Sequence, residues 1–329
     1  MNAAARERLG NPVIVLSQGA LPDAIVDALR AEFGAVYLTD GRERAARIGE
    51  HAGTARALVT AGPPGVDAAL ISMLPELEAI VSLGDGCDAI DLDAAQQRGI
   101  GVSNTAPDEL CASVADTAVA LTLNALRRFS AAERYLRAQR GYQYTNSFMQ
   151  TRDLTGARVG ILGLGRIGMR IARRLGAFDC QLAYHNRRRL PASPYRYADT
   201  PTALASSVDV LIVATTGGPH TRQLVDRDVL SALGSNGYVV NVARGDVIDQ
   251  DALIELCGSG ALAGAGLDVF SGEPKLSAAL AALDNVALTP HIGGGTDRTA
   301  VAMSSCLMAN LRSYLTTGEL ITPVLPVRT

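Results

Sequence analysis

From residue 13 onward the chain alternates short, continuously apolar runs with longer stretches whose apolar positions recur at helical spacing. The runs are 13–16, 57–59, 79–81 and 100–102, and 21–33 and 92–98 read as helices between them. A strand that is apolar at every position has both faces covered, so this pattern predicts a parallel sheet flanked by helices. The stretch 108–140 holds neither Pro nor Gly, follows an Asn104-Thr105-Ala106-Pro107 break, and predicts one long helix or two joined end to end. A second alternation places strands at 158–162, 181–184, 210–213, 238–241, 263–267 and 286–288, six in all, as in a full doubly wound sheet. The last helix, 296–317, follows that sheet and is expected to pack back on the first unit. The expected fold class is α/β: two Rossmann-like or flavodoxin-like domains with a cleft between them, the second a doubly wound parallel sheet.

Composition narrows the classes. With 329 residues, 48% apolar, 19% charged and net charge -3, the chain has an ordinary globular make-up and none of the basic excess that a nucleic-acid partner calls for. No apolar run reaches the roughly 18 residues of a membrane span, and residues 1–10 lack a signal-peptide core, so no membrane partner and a cytoplasmic location are expected. Cys87, Cys111, Cys180, Cys257 and Cys306 are scattered without a Cys-x-x-Cys pair, which predicts reduced thiols. His51, His185, His220 and His291 are too dispersed for a helical metal motif, so no metal site is expected. Of the 30 basic residues only Lys275 is a lysine, which excludes a P-loop and restricts any lysine Schiff base to that position.

The strongest local motif is Gly163-Leu164-Gly165-Arg166-Ile167-Gly168, directly after a strand and directly before a helical run. The three glycines serve a tight turn, close approach of a pyrophosphate and close helix packing, and the helix N-terminus adds N–H groups and positive dipole. Dinucleotide binding follows, with 104–294 the dinucleotide-binding domain and 1–103 with 295–329 the substrate-binding domain. At the end of the next strand, where NAD-binding chains place a carboxylate on the ribose, stand Asn186, Arg187, Arg188 and Arg189. A neutral amide beside guanidinium forks suits a 2′-phosphate, so NADP(H) is expected in preference to NAD(H), the alternative being a solvated basic loop.

Three further segments put titratable residues just past strands: 240–249 with Arg244, 266–274 with Asp268 and Glu273, and 288–294 with His291. In that order after the glycine loop, and with 84–92 and the helix around Val114-Ala115-Asp116 before it, they resemble the D-isomer-specific 2-hydroxyacid dehydrogenases from about residue 13 to 317. The 217–221 and 184–188 segments look most like the NADPH-preferring glyoxylate, hydroxypyruvate and hydroxyphenylpyruvate reductases of that family. The resemblance implies that Arg244 grips the substrate carboxylate and carbonyl oxygen, that His291 is the general acid and base, and that Glu273 accepts from the far nitrogen of its ring. These residue types suit the roles: a permanent planar cation for a planar anion, an imidazole titrating near neutrality, and a carboxylate to fix its tautomer. The cofactor set implied is Gly163, Gly165, Arg166, Ile167 and Gly168, then Asn186, Arg187 and Arg188. Thr215, Val242, Ala243 and Arg244, and beyond them Asp268, His291 and Gly293, complete it, with Asp268 expected to support the nicotinamide end or the strand terminus. His185 and His220 are placed beside the cofactor groove, without a catalytic role.

The family also holds the substrate carboxylate on backbone N–H groups of a first-domain loop, here Leu83, Gly84, Asp85 and Gly86 up to Cys87. The chain departs from its relatives at this loop, because Asp85 stands where many carry an apolar residue and Cys87 where many carry an aromatic or Thr. An Asp85 side chain aimed at the substrate would repel a carboxylate, so either it points away or the preferred substrate is not a plain 2-oxo monoacid. The chain has no tryptophan, and Tyr142 stands where the family often places another ring near the pocket. Ala118, Val119, Leu121, Leu123 and Leu126 exceed one helix face, which fits either a homodimer surface, as the family implies, or burial between domains. The function expected is NADPH-dependent reduction of a small 2-oxo acid. The alternatives are a dinucleotide-sensing, corepressor-like binding protein and a phosphoglycerate-type or formate-type dehydrogenase of the same family.

Overall fold

A computed structural model describes residues 13–17, 23–38, 44–62, 65–141 and 150–327. Tyr142 and the N-terminal stretch 1–10 lie outside them. The chain divides into two compact units, Met1–Leu110 with Thr296–Thr329, and Cys111–Gly295. The divisions fall at 110/111 and 295/296, not at 103/104 and 294/295, because the first residues of the helix Asp108–Arg127 group with the first unit.

The first unit contains β1 (Val13–Ser17), β2 (Val36–Leu38), β3 (Ala57–Ala61), β4 (Ala79–Ser82) and β5 (Gly101–Asn104), all parallel to one another. The second contains β6 (Arg158–Leu162), β7 (Gln181–His185), β8 (Arg196–Tyr197), β9 (Val210–Val213), β10 (Tyr238–Asn241), β11 (Gly264–Leu267) and β12 (Val286–Leu288). A last strand, β13 (Pro323–Leu325), runs antiparallel to β5 and gives the first sheet the order β13-β5-β4-β3-β1-β2, a flavodoxin-like arrangement with one reversed edge. The second sheet is wholly parallel, in the order β12-β11-β10-β9-β6-β7-β8. Its order reverses beside β6, the crevice where open α/β sheets bind ligands.

Three strands escaped the apolar pattern. The pair Arg196–Tyr197 is short and polar, while Val36–Leu38 and Pro323–Leu325 are three-residue strands at the two edges of the first sheet, too short to stand out as runs. Elsewhere continuity meant burial: β4, β9, β10 and β11 are buried at all four positions. The terminal helix Asp297–Thr317 does pack on the first unit, placing Leu307, Met308, Leu311, Tyr314 and Leu315 among Val13, Val15, Val59 and Val81. Its Tyr314 hydroxyl donates to Glu78 Oε2 at 2.8 Å, tying the helix to the lower end of β4.

The Gly- and Pro-free stretch is two helices, Asp108–Arg127 and Phe129–Gln139, broken at Arg128, which takes a left-handed conformation at φ 55°. The first of these is long and apolar enough to cross a membrane on length and composition, contrary to the expectation that no run in the chain reaches that length. Its apolar excess has a local cause. Ala115, Ala118, Leu121, Ala125 and Leu126 are buried in the second unit's own core against Val159, Ile161 and Val240. Ala118, Leu121 and Leu126 are therefore no partner surface. The helix lies so close to β11 that a Cβ on Gly266 would come within 2.9 Å of Leu121 O.

Candidate active site

The glycine loop joins β6 to the helix Arg166–Gly176, whose buried Gly168, Ile171, Ala172 and Leu175 recur at helical spacing. Gly163 has φ +101°, and a Cβ there would lie 2.7 Å from Ala214 O and Thr215 Cα. Only glycine lets the turn press against the end of β9. A Cβ on Gly168 would lie 2.2 Å from Gly163 O, so helix and strand are in direct backbone contact. Gly165 differs, since a Cβ there meets nothing within 4 Å, and as N-cap it offers no side chain to the first N–H groups of the helix. Uncapped donors over an open glycine form a cradle for a pyrophosphate, which is the fit a dinucleotide requires. Arg166 is exposed and Ile167 and Thr215 half-buried at its edges.

Past β7, Asn186 Oδ1 accepts from Leu164 N–H at 2.6 Å. The side-chain oxygen is thus committed to bracing the glycine loop. Arg187, Arg188 and Arg189 are exposed beside it. His185 has its Nδ1 2.8 Å from Ala198 O and its ring stacked on Tyr197, while His220 is exposed.

The chemistry-bearing side chains gather past β10, β11 and β12. Buried Asn241 shapes the first turn: its Oδ1 accepts from Ala243 N–H at 2.9 Å and its Nδ2 donates to Arg244 O at 2.8 Å. Val242 and Ala243 are buried there, and the half-buried Arg244 donates from Nη1 to Ala243 O at 2.8 Å. The next residue, Gly245, abuts the loop after β11 so tightly that a Cβ would fall 2.1 Å from Phe270 C. That loop presents Glu273, whose Oε1 accepts from Phe270 N–H and whose Oε2 lies 2.8 Å from His291 Nδ1. Both carboxylate oxygens are occupied, so the acid's direction is set by its own loop.

His291 has a left-handed backbone, φ 55°, which a non-glycine residue adopts at a cost. Asp268 supplies the restraint. It is 3% exposed; its Oδ1 accepts from Thr289 Oγ1 at 2.7 Å and Ile292 N–H at 2.9 Å, and its Oδ2 from Gly293 N–H at 2.8 Å. Its carbonyl accepts from His291 N–H at 2.8 Å, and Ser113 Oγ donates to Gly293 O at 2.7 Å. Asp268 and Gly293, expected in the cofactor groove, thus spend these polar groups on the histidine turn, because a strained turn needs its N–H groups held from beneath. Asn241, Gly245 and Ser113 received no role from the sequence, although Asn241 and Gly245 sit inside the 240–249 segment.

Electrostatics fit the pairing. The Glu273 hydrogen bond raises His291 above its ordinary 6.5 against the opposing effect of burial, with the Glu273 and Asp268 charges adding to it and that of Arg244 working against it. Burial acts to raise Glu273, but the His291 bond, the Phe270 N–H and the charges of His291 and Arg244 outweigh it and hold the carboxyl below its ordinary range. An ionised carboxylate only accepts, so Nδ1 carries a proton and Nε2 is the nitrogen left to exchange one.

In the first unit, the loop after β4 has Gly84 at φ +108°. Leu83 N–H donates to Thr60 O at 2.8 Å and Gly84 N–H to Thr105 Oγ1 at 2.7 Å, so these two donors are taken. The N–H groups of Asp85 and Gly86 meet no acceptor among the described residues, while Asn104 Nδ2 donates to Asp85 O and Ser82 Oγ to Gly86 O, both at 2.8 Å. The Asp85 side chain is exposed.

A doubly wound sheet with a phosphate cradle at its switch point, and an arginine and a carboxylate-paired histidine along the same edge, defines a nicotinamide-dependent dehydrogenase. Comparison with known proteins agrees: residues 119–293 match the family described as D-isomer specific 2-hydroxyacid dehydrogenase, NAD binding domain. Glyoxylate/hydroxypyruvate reductase A of Arabidopsis thaliana is 39% identical over 310 residues, 94% of this chain and 98% of the relative. Hydroxyphenylpyruvate reductase of Plectranthus scutellarioides is 41% identical over 269 residues, 82% of this chain and 85% of its own. Among solved structures, the NADPH-dependent glyoxylate/hydroxypyruvate reductase of Sinorhizobium meliloti, in complex with NADP and malonate, superimposes with a TM-score of 0.87 at 37% identity, covering 97% of this chain and 99% of that one. The chain belongs to the D-isomer-specific 2-hydroxyacid dehydrogenase family.

Proposed function

We propose that the chain is an NADP(H)-dependent reductase of small 2-oxo acids, of the glyoxylate and hydroxypyruvate kind, forming D-2-hydroxy acids. The observation that carries the reading is the 2.8 Å pairing of His291 Nδ1 with Glu273 in a site that Arg244 also charges. The nicotinamide, when bound, supplies the hydride to C2. Arg244 binds and orients the anion and polarises its carbonyl oxygen. His291 Nε2 delivers a proton to that oxygen as negative charge develops there, and the ring is reprotonated from solvent; in the oxidation direction the same nitrogen takes the proton. Glu273 holds the ring and favours its charged form.

Gly163, Gly165 and Gly168, with the helix N-terminus, would hold the pyrophosphate, and Arg187 and Arg188 a 2′-phosphate. The loop 83–86 is assigned to the substrate carboxylate through the N–H groups of Asp85 and Gly86. Cys111–Gly295 is thus the dinucleotide-binding domain and Met1–Leu110 with Thr296–Thr329 the substrate-binding domain. A cytoplasmic location is consistent with the five free cysteines. A homodimer is supported by Phe129 and Leu136 on the helix Phe129–Gln139, 53% and 48% exposed, and light scattering of the purified protein tests it.

The test of function is loss of NADPH absorbance with glyoxylate, hydroxypyruvate, hydroxyphenylpyruvate and phosphorylated hydroxypyruvate. Turnover of the first two, falling about a hundredfold or more in His291→Ala while NADPH affinity changes little, supports the proposal. Tight NADPH binding with no turnover on any acid assigns the chain to the dinucleotide-sensing class, and preference for the phosphorylated acid assigns it to the phosphoglycerate type.

A further inference from the structure

The loop 186–190 carries Arg187, Arg188 and Arg189 on its exposed side and is fastened at both ends by tyrosine hydroxyls. At the far end stands Tyr184, on β7 and 1% exposed. Its hydroxyl accepts from Leu190 N–H at 2.9 Å and donates to Leu190 O at 3.2 Å, so one oxygen fixes both backbone polar groups of that residue. At the near end Tyr197, on the short strand β8, donates to Asn186 O at 3.1 Å, while the Asn186 side chain is held by Leu164 N–H. The two rings pack with centroids 5.3 Å apart and planes at 59°, and the Arg189 guanidinium lies 5.9 Å over Tyr197. A loop so held keeps its backbone in one place, and only arginine rotamers remain to be ordered when an anion binds.

We propose that Tyr184 is a positioning residue for 2′-phosphate recognition: its hydroxyl presets the backbone from which Arg187 and Arg188 reach the phosphate, and it thereby sets selectivity for NADPH over NADH without touching either. This rests on the assignment of those two arginines to the phosphate. Backbone position matters to a phosphorylated cofactor in particular, because a guanidinium fork gains its strength only when two N–H groups align with two oxygens. NADH presents no such group at the ribose, so a loosened loop costs it far less.

The experiment compares Tyr184→Phe, the Arg187→Ala/Arg188→Ala pair and the triple variant by KM and kcat for NADPH and NADH at a fixed 2-oxo acid, with melting temperature alongside. Phenylalanine keeps the ring packing and deletes both bonds to Leu190. The expected result is a KM for NADPH raised about 5–10-fold in Tyr184→Phe, with the KM for NADH raised several times less. In the background lacking the two arginines, the same change should leave the cofactor ratio where the arginine pair alone puts it. Equal effects on both cofactors, or a lower melting temperature with an unaltered ratio, would show a merely structural tyrosine and overturn the proposal. An arginine pair that itself leaves the ratio unaltered would overturn the phosphate assignment instead, and the two failures are read from different proteins. If Tyr184→Phe does not fold, Tyr197→Phe asks the same question at the other end of the loop, with the same expected and refuting results.

Discussion

Gly245 offers the sharpest test of how the site is assembled, because it carries no chemistry and stands between two residues that do. A Cβ built on it falls 2.1 Å from Phe270 C, 2.2 Å from Phe270 O and 2.5 Å from Ser271 N. Carbon atoms rest about 3.5–4.0 Å apart, so Gly245→Ala must drive the two backbones apart by roughly 1 Å or more. The atoms in the way are main chain, and no rotamer change relieves them. Phe270 N–H is also the donor that orients Glu273, so the displacement passes to Glu273 on one side and to Arg244 on the other. Overpacking of this kind costs about 1–3 kcal/mol of stability, and misplacing catalytic groups by 1 Å costs about a hundredfold in rate. Gly245→Ala should therefore lower kcat/KM about a hundredfold in NADPH-oxidation assays and lower the melting temperature by roughly 2–4 °C per kcal/mol lost. Gly165→Ala is the control, since its Cβ meets nothing within 4 Å. It should fold with unaltered stability yet raise the KM for NADPH, because the methyl occupies the pyrophosphate's approach. A Gly245→Ala enzyme within about threefold of the parent in kcat/KM would refute the claim that backbone contact sets the Arg244–Glu273 geometry.

The charge pairing makes a pH prediction. Glu273→Gln removes the principal cause of the raised His291 pKa, so the alkaline limb of the kcat/KM profile for reduction should move to lower pH, and an unmoved limb would assign it to another group. In stability, the contribution of Glu273 is complete above its ordinary 4.5 and is lost as pH falls through its depressed folded value, while that of His291 is complete below 6.5 and is lost as pH rises through its raised one. The parent's advantage over Glu273→Gln in melting temperature should accordingly be greatest between pH 4.5 and 6.5. Asp268→Ala should cost about 1–3 kcal/mol in denaturant unfolding, since it strands the buried Gly293 N–H and the partly buried Ile292 N–H, and should reduce kcat more than cofactor affinity; equal losses in both would mean that it does not act through the His291 turn. Asp85→Asn should lower the KM for glyoxylate, with the gain shrinking as salt is added, whereas a raised KM would show that the carboxylate is used by the substrate.

Much of this protein is legible in its sequence, because burial on both faces of a parallel sheet writes an unbroken apolar run. The strands β3, β4, β6, β9, β10, β11 and β12 are found that way, the glycine loop by its spacing between a strand and a helix, and Arg244, Glu273 and His291 as titratable residues just past strands, whose roles the family resemblance implies. The strand Arg196–Tyr197 left no such trace, having two polar or amphipathic residues and drawing its place wholly from pairing with β7. The same limit applied to the site. A titratable residue just past a strand is visible in one dimension, but what holds it is a bond across long chain separations, as from Ser113 to Gly293 or from Asp268 to Ile292. Asn186 shows the difference well: its identity argued against a ribose-binding carboxylate, and only the folded chain showed its oxygen committed to Leu164 N–H. Likewise the apolar excess of 108–127 was plain from composition, but its destination was decided by Gly266, whose missing side chain lets that helix settle onto β11. Residue types and their order determine which chemistry is available; the backbone contacts that glycines permit, and the hydrogen bonds that close over them, decide where that chemistry points.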